Sequence, residues 1–285
     1  MKRSIEWTGN WALACDFHEN NLMNVQIRGE DCGSRCASTS GCTHFTWTTH
    51  NGGTCWMKQG AVSKENAVPT DDRSMVCGVN EKEPINEVMN DVHTTRHGAT
   101  EYGACALPAS DYAVTNPVAL GNIESLKALK FRPELCGHIL NVDCGHGSLD
   151  IIVTNSNLGG GLDLYGSTWD KLTNNKPPGI TSCNVKLADR NAFQFDGPRC
   201  YYNPGSPIDN AYYKNIGLLN TNGRLVVRAT IDNQSGVHHG ANPYYAFNFG
   251  PIDDNKQVIF TFEDGNTHSV FLRDCQKQQN QQTWS

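Results

Sequence analysis

The sequence predicts a mainly β, disulfide-rich, multidomain protein. Three observations carry this: twelve cysteines fall in two sets of six, many short runs alternate apolar and polar residues between Gly, Asn, Asp and Pro, and a polar stretch separates the two cysteine sets. The first set is Cys15, Cys32, Cys36, Cys42, Cys55 and Cys77; the second is Cys105, Cys136, Cys144, Cys183, Cys200 and Cys275. An even count in each half reads as disulfides formed in an oxidising compartment, hence a secreted, extracellular protein. The best zinc candidate is Cys32-x3-Cys36 with His44 and His50. No second paired knuckle follows it, so no metal and no cofactor are expected.

Composition removes other classes. A net charge of −6 and a pI near 5.9, with no run of Lys and Arg, lack the basic face that phosphates require, so nucleic acid is not a partner. No apolar run approaches the roughly 20 residues of a membrane span. Met1-Lys2-Arg3-Ser4 leads straight into mixed polar sequence, which reads as a mature form without its apolar signal segment.

Taken in order, residues 1–79 form the first unit, with WTGNWALACDFHENNL, then CGSRCASTSGCTHFTWTTHNGGTCWMK, then MVCGV. Phe45 and Trp47, two apart on a strand, share one sheet face and read as core, with a sugar platform at Trp47 or Trp56 as the functional alternative. The segment resembles a PAN/Apple domain, an adhesion module with a short helix carrying the C-x3-C pair and a hairpin behind it. The resemblance implies the pairs Cys15 to Cys77, Cys32 to Cys55 and Cys36 to Cys42, whereas six cysteines by themselves allow fifteen connectivities. Residues 80–92, NEKEPINEVMNDV, are polar with one proline and read as a linker.

Residues 93–188 hold the segment CGHILNVDCGHGSLDIIVTNSNLGGGLDLYGSTWDKLTNNKPPGITSCNVKL, from Cys136 to Leu187. Its order of CG, V-x-C, G-S-x-x-x-x-VTN, LDL, a W-x-K-L helix and a closing G-I strand resembles the six-stranded double-psi β-barrel of expansins and family 45 glycoside hydrolases. Residues 189–275 carry GRLVVRATID, YYAFNFG, QVIFTFED and HSVFLRDC, each with strand-like alternation, and read as an antiparallel, sandwich-like β domain closed by Cys200 and Cys275. Expansins also carry a sandwich after the barrel, but its polysaccharide-facing tryptophans find no match here. QKQQNQQTWS, residues 276–285, has no core-forming pattern and is expected to be a mobile polar tail.

The barrel resemblance centres the site on Asp163, delivered by GGGLDL as an acid or a glycan hydrogen-bonding group. It sets Thr100 of His97-Gly98-Ala99-Thr100-Glu101-Tyr102-Gly103-Ala104-Cys105 beside that carboxylate, and adds Asn155, at the position of a second aspartate, and Tyr102 as binding residues. The local alternative for Asp163 is a cap on the helix that begins near Ser167. Glu101 alternates away from Thr100 and is expected to face solvent. Family 45 hydrolases place their catalytic base where this chain has Ala104. Inverting hydrolysis needs two carboxyls roughly 6.5–9.5 Å apart, and losing the base forfeits about 10²- to 10⁴-fold.

These residues lean to a secreted, non-hydrolytic, expansin-like polysaccharide-binding protein of the cell wall, with polysaccharide or glycoprotein as partner. One alternative is a glycan-cleaving enzyme, a family 45-like endoglucanase or a lytic transglycosylase with Asp163 as acid. Another is a structural or adhesive subunit of an extracellular matrix or filament, built by self-assembly of exposed strand edges. Asn233-Gln234-Ser235 is a sequon, so Asn233 is a candidate glycosylation site.

Overall fold

The computed structural model describes residues 4–37, 39, 41–60, 62–80, 85, 87–277 and 280–285. The protein is mainly β and disulfide-rich, with several separate sheets. It divides into two compact units, Met1–Lys82 with Glu263–Gly265, and Glu83–Phe262 with Asn266–Ser285. Part of the expected linker, 81–84 and 86, lies outside the described residues, as do 278 and 279 in the expected tail.

In the first unit a six-stranded sheet holds Trp7–Thr8, Trp11–Leu13, Val76–Val79, His44–Thr48, Thr54–Lys58 and Asn21–Gln26 in that spatial order. The helix Gly29–Ala37 packs on its central strands and buries Cys32 and Cys36. Disulfides join Cys15 to Cys77, Cys32 to Cys55 and Cys36 to Cys42. Phe45 and Met57 complete a core too small to hold so short a helix without these crosslinks.

The second unit is built on a closed six-stranded barrel. Around it run Pro117–Gly121, Ser148–Asn157, Ile139–Asp143, Thr181–Leu187, Met89–His97 and Leu162–Tyr165. Pro117–Gly121 pairs in parallel with Ser148–Asn157, and Leu162–Tyr165 in parallel with Met89–His97; the remaining neighbours are antiparallel. Closure removes the sheet edges but buries only alternate residues; Ile151, Ile152, Val153 and Thr154 are all fully buried because the outer face of their strand is covered too, in part by the helix Gly166–Thr173. The first barrel strand begins at Met89, inside the stretch expected to be linker: Met89 and Val92 are core residues, hidden from a reading by composition because Asn90 and Asp91 lie between them.

After the barrel come two four-stranded antiparallel sheets that share one core, among them Tyr202, Ile216, Ile231, Phe247 and Phe260. Cys200 is bonded to Cys275, and within the barrel Cys105 to Cys136 and Cys144 to Cys183. The barrel and these sheets fall in one compact unit. Tyr244 shows how: it is fully buried in the barrel's core cluster, and its hydroxyl donates to the Ala106 carbonyl at 3.1 Å.

The end of the chain differs from expectation. Gln276 bridges to Tyr201, Gln281 to Pro108 and Trp284 to Glu101, and Trp284 is 4% exposed. A single tryptophan has no periodicity to announce it, so a polar decapeptide that docks through one ring reads as a tail.

Asp232 and Asn233 take positive φ of 50° and 62° in the exposed turn between Val226–Ile231 and Gln234–Ser235. That presents the sequon asparagine to solvent, so expression through a eukaryotic secretory pathway should add a glycan at Asn233. Intact mass before and after glycosidase treatment checks this, and an unchanged mass would show the site unused.

Candidate functional site

Strand pairing assembles the site. Leu162–Tyr165 runs parallel to Met89–His97 with Asp163 opposite Thr95 and Tyr165 opposite His97. Residues two apart point the same way, so Thr95 and His97 leave one strand toward the carboxylate of the other. Leu162, Leu164 and Thr94 fill the interior, while Asp163, Thr95 and His97 are only half-buried.

The Thr95 hydroxyl donates to Asp163 Oδ1 at 2.7 Å, and His97 Nδ1 lies 3.1 Å from Asp163 Oδ2. The other ring nitrogen, Nε2, is 2.8 Å from Glu101 Oε1. One imidazole thus bridges two acids. Glu101 Oε1 also accepts from Asn155 Nδ2 at 2.6 Å and from the Tyr165 hydroxyl at 2.8 Å. Burial pulls the Glu101 carboxyl upward, but the hydrogen bonds from Tyr165, Asn155 and His97, with the charge of His97, outweigh it and hold the group below the usual carboxylate range. Burial, then the bond to Glu101, drives the Tyr165 phenol well above its ordinary value, so it stays a donor.

Asn155 is the hub behind this. Its Oδ1 accepts the backbone N–H of Ala104 at 2.9 Å and of Ser156 at 2.8 Å, while its amide holds Glu101. The turn that brings Ala104 to it needs Gly103, whose φ is +76° and where a Cβ would lie 2.2 Å from the Thr154 carbonyl oxygen.

Set against the expected site, Asp163 is at the barrel surface, and the helix Gly166–Thr173 is entered through Tyr165 with no side-chain cap, so Asp163 is not its cap. The hydroxyl on Asp163 is that of Thr95; Thr100 is exposed and makes no hydrogen bond to it. Glu101, expected to face solvent, is instead drawn inward by His97, Asn155 and Tyr165. Tyr102 is 58% exposed beside it, an aromatic face open to solvent. The sequence signal for the missed pair is Thr95-Arg96-His97, two polar side chains at strand spacing just before Gly98. Among the described residues, no group of three or more His, Cys, Asp and Glu is placed to hold a metal ion.

A half-buried carboxylate at the barrel surface, with one oxygen on the Thr95 hydroxyl and the other on the His97 imidazole, keeps lone pairs as acceptors, and the exposed Tyr102 ring follows Glu101 in the chain. That is the inventory a sugar ring needs, hydroxyls for the acceptors and C–H faces for the ring.

No protein-family model matches the chain, and no curated protein matches it. Among solved structures, a point variant of Clavibacter michiganensis expansin in complex with cellohexaose is 18% identical, with a TM-score of 0.47, over 65% of this chain and 90% of that one. The apo expansin of Clavibacter michiganensis is 20% identical, with a TM-score of 0.46, over the same shares, 65% and 90%.

Proposed function

We propose that the protein is a secreted, non-hydrolytic, expansin-like polysaccharide-binding protein whose barrel presents Asp163, Thr95, His97 and Tyr102 to a glycan, with the first unit acting as a PAN/Apple-like adhesion module. The observation that carries the reading is the allocation of carboxylates. Asp163 is at the surface, while the other acid, Glu101, has Oε1 committed to three donors and is separated from Asp163 by the His97 ring. Inverting hydrolysis needs open space between its two carboxyls for sugar and water. Here an imidazole fills it, and the position of the family 45 base is Ala104, which contributes only a backbone N–H. Retention in an oxidising, extracellular setting accords with the six disulfides.

Incubation with insoluble cellulose, chitin, xylan and peptidoglycan, with bound protein and reducing ends measured in the same tubes, tests this. Retention on at least one polymer without reducing-end release is expected. Asp163→Ala should weaken retention about tenfold, the worth of one charge-assisted hydrogen bond, while costing at most about 1 kcal/mol of stability because the carboxylate is partly solvated. No retention on any polymer would sink the proposal. Turnover abolished by Asp163→Asn would replace it with the glycan-cleaving reading.

A further inference from the structure

A cavity lies wholly within the first unit. It encloses about 500 Å³ and is lined by Asn10, Trp11, Glu30, Phe45, Trp47 and Val76, with Gly29 and Gly33. That volume is within the range, about 300–1,000 Å³, of small-molecule pockets. We propose that this groove binds a sugar ring of a neutral glycan, as a second carbohydrate site in the chain; it shares no residue with the barrel site and stands or falls separately.

The register explains why a groove exists. Trp11, Gly78 and Phe45 form one row across three strands, and Leu13, Val76 and Trp47 the next. All six therefore share one sheet face. The helix Gly29–Ala37 covers that face over His44–Thr48 and Thr54–Lys58, but the strand Trp11–Leu13 lies farther out in the sheet, leaving Trp11 40% and Leu13 54% exposed. Gly29 and Gly33, one helical turn apart, turn a side-chain-free strip of the helix to the same space.

The rings are held before any ligand arrives. Trp47 Nε1 donates to the Ile27 carbonyl at 2.8 Å, and the ring is so closely flanked that a Cβ at Gly29 or Gly53 would come within 3.3 and 2.9 Å of it. A Cβ at Gly78 would meet Phe45 at 2.4 Å. Preorganised aromatic faces bind without the entropy cost of ordering them. Trp11 differs, since its indole N–H has no hydrogen-bond partner among the described residues and is available to a ligand.

The rim decides the class of ligand. Glu30 is ion-paired with Arg28, so its charge is already balanced and an ammonium ligand gains little from it. An alkyl chain would make no use of the Glu30 carboxylate or the Asn10 amide at the rim. A pyranose satisfies both sets, with its C–H face on the tryptophans and its hydroxyls donating to the carboxylate and exchanging hydrogen bonds with the Asn10 amide.

Calorimetric titration of the full-length Asp163→Ala protein, in which the barrel site is weakened, with cellohexaose, chitohexaose and xylohexaose tests the proposal. At least one should bind. Adding Trp11→Ala should weaken that binding about five- to tenfold and Glu30→Ala about threefold. Trp56→Ala should leave it unchanged, because Trp56 sits on the opposite sheet face and donates to Thr48 Oγ1. Glu30 is exposed on the first helical turn, so its variant reports even where Trp11→Ala fails to fold. The proposal is overturned by no binding of the three oligosaccharides, by binding that survives Glu30→Ala and Trp11→Ala alike, or by tetramethylammonium binding more tightly than any of them.

Discussion

Replacing Trp284 with alanine should destabilise the second unit by about 3–5 kcal/mol, the usual cost of truncating a buried tryptophan. Its ring is 4% exposed and meets Tyr112 edge to face at 4.9 Å. Around it the last residues pair with the barrel side: Glu101 N–H donates to the Trp284 carbonyl at 3.0 Å and Trp284 N–H returns the bond at 2.8 Å. Gln282 N–H donates to Leu107 at 2.8 Å, and Ala109 N–H to Asn280 at 2.9 Å. Removing the ring opens a cavity and frees this short ladder together. For a unit of this size the melting temperature should fall by about 10 °C. The Trp284 indole nitrogen is buried without a partner among the described residues, so Trp284→Phe forfeits no hydrogen bond and should cost about 1–2 kcal/mol. Calorimetry of the second unit's transition separates the two variants. A loss under 1 kcal/mol for Trp284→Ala would show that the end of the chain is not part of the fold. Because Trp284 pairs with Glu101, polysaccharide retention should fall with Trp284→Ala and persist with Trp284→Phe.

Much of the architecture was legible because it rests on patterns that repeat. Twelve cysteines in two sets of six keep to those sets in the observed disulfides. LDIIVTN, LDL and CNVKL lie on barrel strands, the first carrying the β-branched run Ile151-Ile152-Val153-Thr154 that favours one. Of the candidate site, the sequence points to Asp163. Thr95 and His97 reach it by lateral strand register, which sequence spacing cannot display, and the family resemblance that sets Thr100 beside it carries no register of its own. Glu101 was misjudged for a related reason. Strand alternation does not govern it, because Gly98, Ala99 and Thr100 form an irregular segment after the strand ends at His97, and the carboxylate follows its three donors inward. Asn155 was read as a ligand-facing residue; both ends of its amide are instead spent on Glu101, Ala104 and Ser156.

Both units should lose stability on acidification from pH 6.5 downward, starting above the range in which carboxylates protonate, by up to about 3 kcal/mol each by pH 4. Each contains one buried histidine whose ring is pushed down from 6.5 to about 4: His44 in the first unit by burial and then by the Lys58 ammonium, and His138 in the second by burial and then by the Arg132 guanidinium. The sign follows from where the proton is bound. Across this window the unfolded chain holds a protonated imidazole while the fold keeps a neutral one, so the unfolded state takes up the proton and gains on the native state as pH falls, by about 1.4 kcal/mol per unit. Glu101 behaves as a carboxylate held low, stabilising at and above its ordinary value near 4.5 and losing that contribution only below it. Its loss therefore overlaps only the acid end of the histidines' window. His44 has Nδ1 on the Thr43 hydroxyl at 2.8 Å, which an amide side chain can replace. Denaturant melts at pH 7, 5.5 and 4.5 and constant ionic strength should show both transitions weakening. His44→Gln should flatten the pH slope of the first and His138→Gln that of the second, each at some cost in stability at pH 7. A wild-type protein equally stable at pH 7 and 4.5 would mean that neither imidazole is held neutral by its burial.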